Sequence, residues 1–160
     1  MGKKDFRRGP TGGALPGLKL SIEDASSRLR ELMQRENVVV SYLFGSCARR
    51  TTQPDSDVDI AVLLDGRGEE MYEPFRRLLV GVCDALETER VDLLLLNSAP
   101  PTLKFEVITT GRVLYARSDE ALNDFEADAS RRYLDTARLR AVQGEYLRQR
   151  AQAWYSENAT

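Results

Sequence analysis

Histidine is absent from the 160 residues. No Ser-His-Asp triad, Cys-His pair, two-histidine metal site or imidazole acid or base can operate, so any catalysis must rest on carboxylates, hydroxyls, lysines or backbone donors. Cysteine is scarce. Cys47 and Cys83 cannot form a zinc site on their own, stand far apart, and read as reduced thiols of a cytosolic protein. No apolar run approaches the ~20 residues of a membrane span, and the N-terminus has no apolar stretch resembling a signal peptide. A cytoplasmic protein without membrane attachment is expected. A basic excess is missing too: 23 Lys+Arg face 25 Asp+Glu, for a formal net charge of -2, which argues against direct nucleic-acid binding.

What the chain does have is 42% hydrophobic residues, and at this length a fold can bury roughly 70% of the surface its unfolded chain exposes. One self-sufficient domain follows. Residues 1–17 hold Lys3, Lys4, Arg7 and Arg8 among Gly-Pro and Gly-Gly pairs and read as a flexible basic arm. Ser21 is placed to cap a helix whose apolar face is Ile22, Ala25, Leu29, Leu32 and Met33. Val38 to Phe44, Asp57 to Leu64 and Val91 to Leu96 read as strands, with a helix through Met71, Phe75, Leu78, Leu79, Val82 and Leu86 between the last two. Pro100-Pro101 start a short helix that Gly111 stops, Val113 to Tyr115 add a small strand, and the chain from about Asp119 to Trp154 is helix-rich, with Gly144 as its weak point. The expected fold is α/β (α+β): a small mixed sheet flanked by helices, with a core over residues 18–117 and a C-terminal helical extension over 118–160.

Two short motifs carry chemistry. Gly45-Ser46 follows a strand and enters a helical turn, where unpaired backbone N–H groups and a hydroxyl suit a phosphate. Ten residues later come Asp57 and Asp59, which project from one face of a strand whose other face, Val58, Ile60, Val62 and Leu64, is apolar. Side-by-side carboxylates repel unless a cation lies between them, and Mg²⁺ takes one or two carboxylates together with substrate phosphates. Asp92 is the only polar residue of Val91 to Leu96. A lone carboxylate in such a strand costs several kcal/mol unless paired, protonated or metal-bound, and the plain alternative is an edge position at the strand's beginning. If the two strands are neighbours, three carboxylates converge in the manner of a two-metal phosphoryl or nucleotidyl transfer site.

Gly45-Ser46, ten residues, Asp57-Val58-Asp59 and a later strand Asp92 resemble the nucleotidyltransferase superfamily with the DNA polymerase β-like catalytic core. The approach Leu43-Phe44-Gly45-Ser46, the run Val91 to Asn97 with Ala99-Pro100-Pro101, and Phe105-Glu106-Val107, Gly111-Arg112 and Leu114-Tyr115 are similar to its minimal members, the MntA-type antitoxins of HEPN/MNT toxin–antitoxin pairs. The resemblance implies a protein adenylyltransferase that moves AMP from ATP to a tyrosine of a partner HEPN ribonuclease toxin. It implies two Mg²⁺ ions on Asp57, Asp59 and Asp92, with Asp92 also helping to deprotonate the acceptor, and Gly45, Ser46 and Arg49 on the triphosphate. Cys47 and Arg50 depart from the usual pattern without removing a ligand.

Two other readings compete. One is a small-molecule nucleotidyltransferase of the aminoglycoside type, disfavoured because only some forty residues follow the core. The other is a non-catalytic antitoxin that masks its partner by contact, for which the terminal arginines Arg131, Arg132, Arg138, Arg140, Arg148 and Arg150 and the aromatics Tyr133, Tyr146, Trp154 and Tyr155 would supply a surface.

Overall fold

The computed structural model describes residues 21–45 and 57–158. The basic arm expected over residues 1–17 lies outside them. The first helix, α1 (Ile22–Arg35), begins as its sequence dictates. Ser21 Oγ accepts from the Asp24 N–H, and the Asp24 carboxylate reaches back to the Ser21 N–H, closing a capping box. Four strands follow the pattern of β-branched and apolar runs: β1 (Val38–Leu43), β2 (Val58–Leu64), β3 (Val91–Leu95) and β4 (Arg112–Ala116). A 3₁₀ turn, Gly68–Met71, leads from β2 into α2 (Tyr72–Leu86), and another, Leu96–Ser98, leads from β3 towards α3 (Pro101–Thr110). Pro101 occupies the first helical position of α3, where its missing N–H costs nothing.

The four strands form one sheet in the order β3-β2-β1-β4. β2 and β3 run parallel, whereas β1 is antiparallel to both β2 and β4, which makes the sheet mixed as expected. The alternation read from β2 is realised. Val58, Ile60, Val62 and Leu64 pack with α1 and α2 on one face, and Ala61 and Leu63 turn to the other, where Val107 of α3 and Phe125 of the next helix close the second core.

That next helix, α4 (Asp119–Asp135), and the last, α5 (Ala137–Asn158), correct one expectation. The break falls at Thr136, and Gly144 lies inside α5. The cause is local hydrogen bonding. The Arg140 guanidinium donates to the Tyr133 carbonyl at 2.6 Å and contacts Thr136 Oγ1, holding the end of α4. Its Cζ lies 3.8 Å from the Tyr133 ring centroid, and Tyr133 stacks on Phe105 at 3.9 Å. This Phe105-Tyr133-Arg140 stack joins α3, α4 and the start of α5. No described helix is long and apolar enough to cross a membrane.

Glu36, at the end of α1, is 3% exposed. Arg77 of α2 donates to it at 2.7 Å and Arg35 at 3.1 Å. Burial alone raises its carboxyl pKa, but the hydrogen bonds from Arg77 and then Arg35 outweigh burial and hold it below the ordinary glutamate value. A depressed folded-state pKa contributes stability that is present above the unfolded value of about 4.3 and lost as pH falls through the folded value. Arg77→Ala is expected to cost about 1–3 kcal/mol in urea unfolding at pH 7, with the gap to wild type closing as the pH drops below the glutamate range. A gap independent of pH contradicts this account.

Candidate functional site

β1 delivers the chain to Phe44 and Gly45. The Phe44 N–H donates to the Asp59 carbonyl at 3.0 Å, extending the β1–β2 ladder to the rim of the sheet. Gly45 then turns with φ +67, a left-handed conformation that residues with a Cβ avoid. A Cβ at Gly45 would lie 2.1 Å from Asp59 Oδ2 and 2.8 Å from its Cγ. Glycine is therefore required twice: by its own dihedral and because the Asp59 carboxylate lies against its backbone.

Asp59 is half-buried, and Asp57 and Asp92 are exposed. The parallel register of β2 and β3 sets Asp59 opposite Asp92, on strands about 4.8 Å apart. Asp57 precedes β2 on the same face by alternation. All three thus stand at the N-terminal ends of two parallel neighbours, on the face that α3 and α4 cover further along. The exposure of Asp92 selects the edge position over the costly buried carboxylate. β3 is an edge strand, so its polar residue meets water. Among the described residues, no three His, Cys, Asp or Glu side chains stand close enough to form a closed metal-binding group. The register brings Asp59 and Asp92 side by side without completing a triad. The donors are nonetheless hard oxygens with an open approach, and they fit Mg²⁺, which completes its shell with phosphate oxygens and water.

Asn97 holds the other end of the same strand pair. Its Oδ1 accepts from the Leu64 N–H at 2.9 Å, and its Nδ2 donates to the Leu64 carbonyl at 2.9 Å, as a paired strand would. Sequence reasoning gave Asn97 no role of its own. The available signal was an amide side chain ending an apolar strand. Ser46, Cys47, Arg49 and Arg50 lie outside the described residues.

The family model "Polymerase beta, Nucleotidyltransferase" matches residues 28–120, more than half of the chain and all four strands. The chain belongs to this nucleotidyltransferase family. Solved structures share the fold. A toxin–antitoxin crystal structure with AMP-PNP is 26% identical with a TM-score of 0.62, over 76% of this chain and 98% of the other. A complex of an MNT antitoxin with tri-AMPylated HEPN toxin from Shewanella oneidensis is 23% identical with a TM-score of 0.59, over 79% and 98%. The toxin–antitoxin MntA–HepT is 24% identical with a TM-score of 0.57, over 77% and 97%. Below 25% identity the likeness concerns the fold alone. No curated protein sequence is significantly similar to the chain.

Two predictions arise from this geometry. Gly45→Ala in this nucleotidyltransferase is expected to lower stability by about 1–2 kcal/mol and to reduce nucleotide binding, because Asp59 must move. Unchanged nucleotide affinity by isothermal titration calorimetry would contradict the close packing. Asn97→Ala leaves two groups of Leu64 unpaired and is expected to cost about 1–3 kcal/mol in thermal or urea unfolding. A variant as stable as wild type contradicts the clamp.

Proposed function

We propose that this nucleotidyltransferase is the antitoxin of a type VII-like HEPN/MNT pair, an AMPylator that transfers AMP from ATP to a tyrosine of its cognate HEPN ribonuclease toxin and so silences it. The observation that carries the reading is the set of carboxylates, Asp57, Asp59 and Asp92, on one face of two parallel strands beside the Gly45 backbone. Support for the substrate comes from the relative with AMP-PNP, an ATP analogue. The partner and acceptor class follow the Shewanella oneidensis complex, whose HEPN toxin is tri-AMPylated. In this reading residues 18–117 are the catalytic core and 118–160 a helical extension, with Gly45, Ser46 and Arg49 holding the triphosphate.

The chemistry needs no histidine. The acceptor tyrosine oxygen attacks the α-phosphorus, a new P–O bond forms, and the bond from that phosphorus to the α–β bridging oxygen breaks as pyrophosphate leaves. Mg²⁺ on Asp57 and Asp59 would supply positive charge to the triphosphate and to the departing pyrophosphate. Asp92, alongside Asp59, takes the phenolic proton, which at an unperturbed pKa of about 10 stays on oxygen without a base. The Gly45 backbone lies next to Asp59, so a triphosphate held at Gly45 would sit beside a carboxylate that binds the metal.

The test is the intact mass of the HEPN protein after incubation with this chain, ATP and Mg²⁺. Wild type is expected to add AMP increments. Asp57→Asn and Asp59→Asn are expected to reduce the rate by about 10²–10³-fold or more, and EDTA to stop it. No mass increment with wild-type protein overturns the reading. The exposed apolar side chains of α5 favour one second reading, in which contact alone masks the toxin. Full neutralisation by Asp57→Asn at equal dose would select it.

A further inference from the structure

After the stack that anchors its first turn, α5 leaves the body. It is a 22-residue helix in which nearly every described side chain is exposed. Leu139, Val142, Tyr146, Leu147, Trp154 and Tyr155 are all 57% exposed or more, which no stably folded chain needs for its own core. Leu139, Val142 and Tyr146 recur at the spacing of one helical face, and a shallow hollow lined by Ala141, Val142, Glu145, Tyr146 and Gln149 lies along it, with Glu145 turned to its own Arg148. The charges say what a facing helix carries. α5 has four arginines, Arg138, Arg140, Arg148 and Arg150, against two glutamates, Glu145 and Glu157; Arg140 is held in the stack and Arg148 pairs with Glu145 at 2.8 Å, and the helix still carries a net positive charge. Two copies of α5 laid together would set one net positive helix against another, which disfavours self-pairing. The surface hollow of the acidic α4, lined by Asp124, Ala127, Asp128 and Arg131, would offer a second copy's α5 no large apolar side chain, and the most exposed apolar residues elsewhere, Leu134 of α4 and Tyr72 and Val80 of α2, do not lie around that hollow. RNA is a poor match because leucine and valine fill the face and the chain as a whole is net negative.

We infer that α5 is the docking helix for the protein partner, and that it binds a helical face of that partner with an apolar centre and an acidic rim. The inference rests on the proposed pairing with a HEPN toxin for the identity of the partner, but not on the transfer chemistry. Docking by α5 would hold an acceptor protein by a surface separate from the carboxylates. Affinity for the partner and turnover at the sheet edge then become separable properties.

The experiment measures the Kd of the full chain for its cognate HEPN protein, together with AMP transfer to that protein. Three chains are compared: wild type, Val142→Ser/Tyr146→Ser/Leu147→Ser, and Arg148→Glu/Arg150→Glu. Both variants are expected to raise Kd roughly tenfold or more, with the main thermal transition and the affinity for ATP unchanged. The charge variant is also expected to lose the salt dependence of binding. Unchanged Kd in both variants, or no association of wild type, overturns the docking role. Concentration-dependent dimerisation of the chain alone that the apolar variant abolishes overturns it in favour of a second copy, and competition by RNA overturns it in favour of nucleic acid. If wild type binds through α5 but adds no AMP, docking stands and the transfer reading falls.

Discussion

The register between β2 and β3 is the constraint on which the site depends. Carboxylates on neighbouring strands repel, so no local preference of Asp59 or Asp92 brings them together. The parallel ladder does so, pairing Val58 with Val91 through Val62 with Leu95. That ladder is held by apolar residues on the opposite face, which a shift of one residue would turn out of the core. Asn97 closes it at the far end by taking both backbone groups of Leu64. Apolar packing against α1 and α2 thus fixes the acidic positions on the other face.

From this frame the molecule divides into a rigid part and a projecting part. The sheet and its four packed helices surround two cores, and the carboxylates lie where the second core ends. The Phe105-Tyr133-Arg140 stack spends one arginine of α5 on the junction and leaves the rest of that helix to solvent. A nucleotidyltransferase that acts on a protein needs both parts, since a carboxylate site selects a phosphate ester and not the polypeptide that bears the acceptor.

Much of this was legible in the sequence because the signals are local. Ser21 and Asp24 announce the start of α1, the alternation of β2 separates acid from core, and Gly45-Ser46 marks the turn after β1; that Asp59 fills the space of a Gly45 Cβ is a tertiary contact that the sequence does not show. The order β3-β2-β1-β4 was not legible, since strand pairing is decided by contacts distant along the chain. Asp92 stands out as polar in an apolar strand, but a strand's position in the sheet is not written in its own residues, and only the edge place of β3 makes that carboxylate cheap to keep. Gly144 suggested the weak point of the C-terminal helix by propensity. The break falls at Thr136 instead, where Arg140 reaches back to the Thr136 hydroxyl one turn earlier and to the carbonyl and ring of Tyr133 two turns earlier. Asn97 escaped notice because its role is to imitate a strand that the sequence does not contain.

The most direct test of the account is the anomalous scattering from crystals of this chain grown with Mn²⁺ and a non-hydrolysable ATP analogue. The account predicts a peak against the carboxylate oxygens of Asp57 and Asp59, with the triphosphate beside Gly45. Nucleotide and metal bound elsewhere, or a nucleotide on the opposite face of β2, would contradict it.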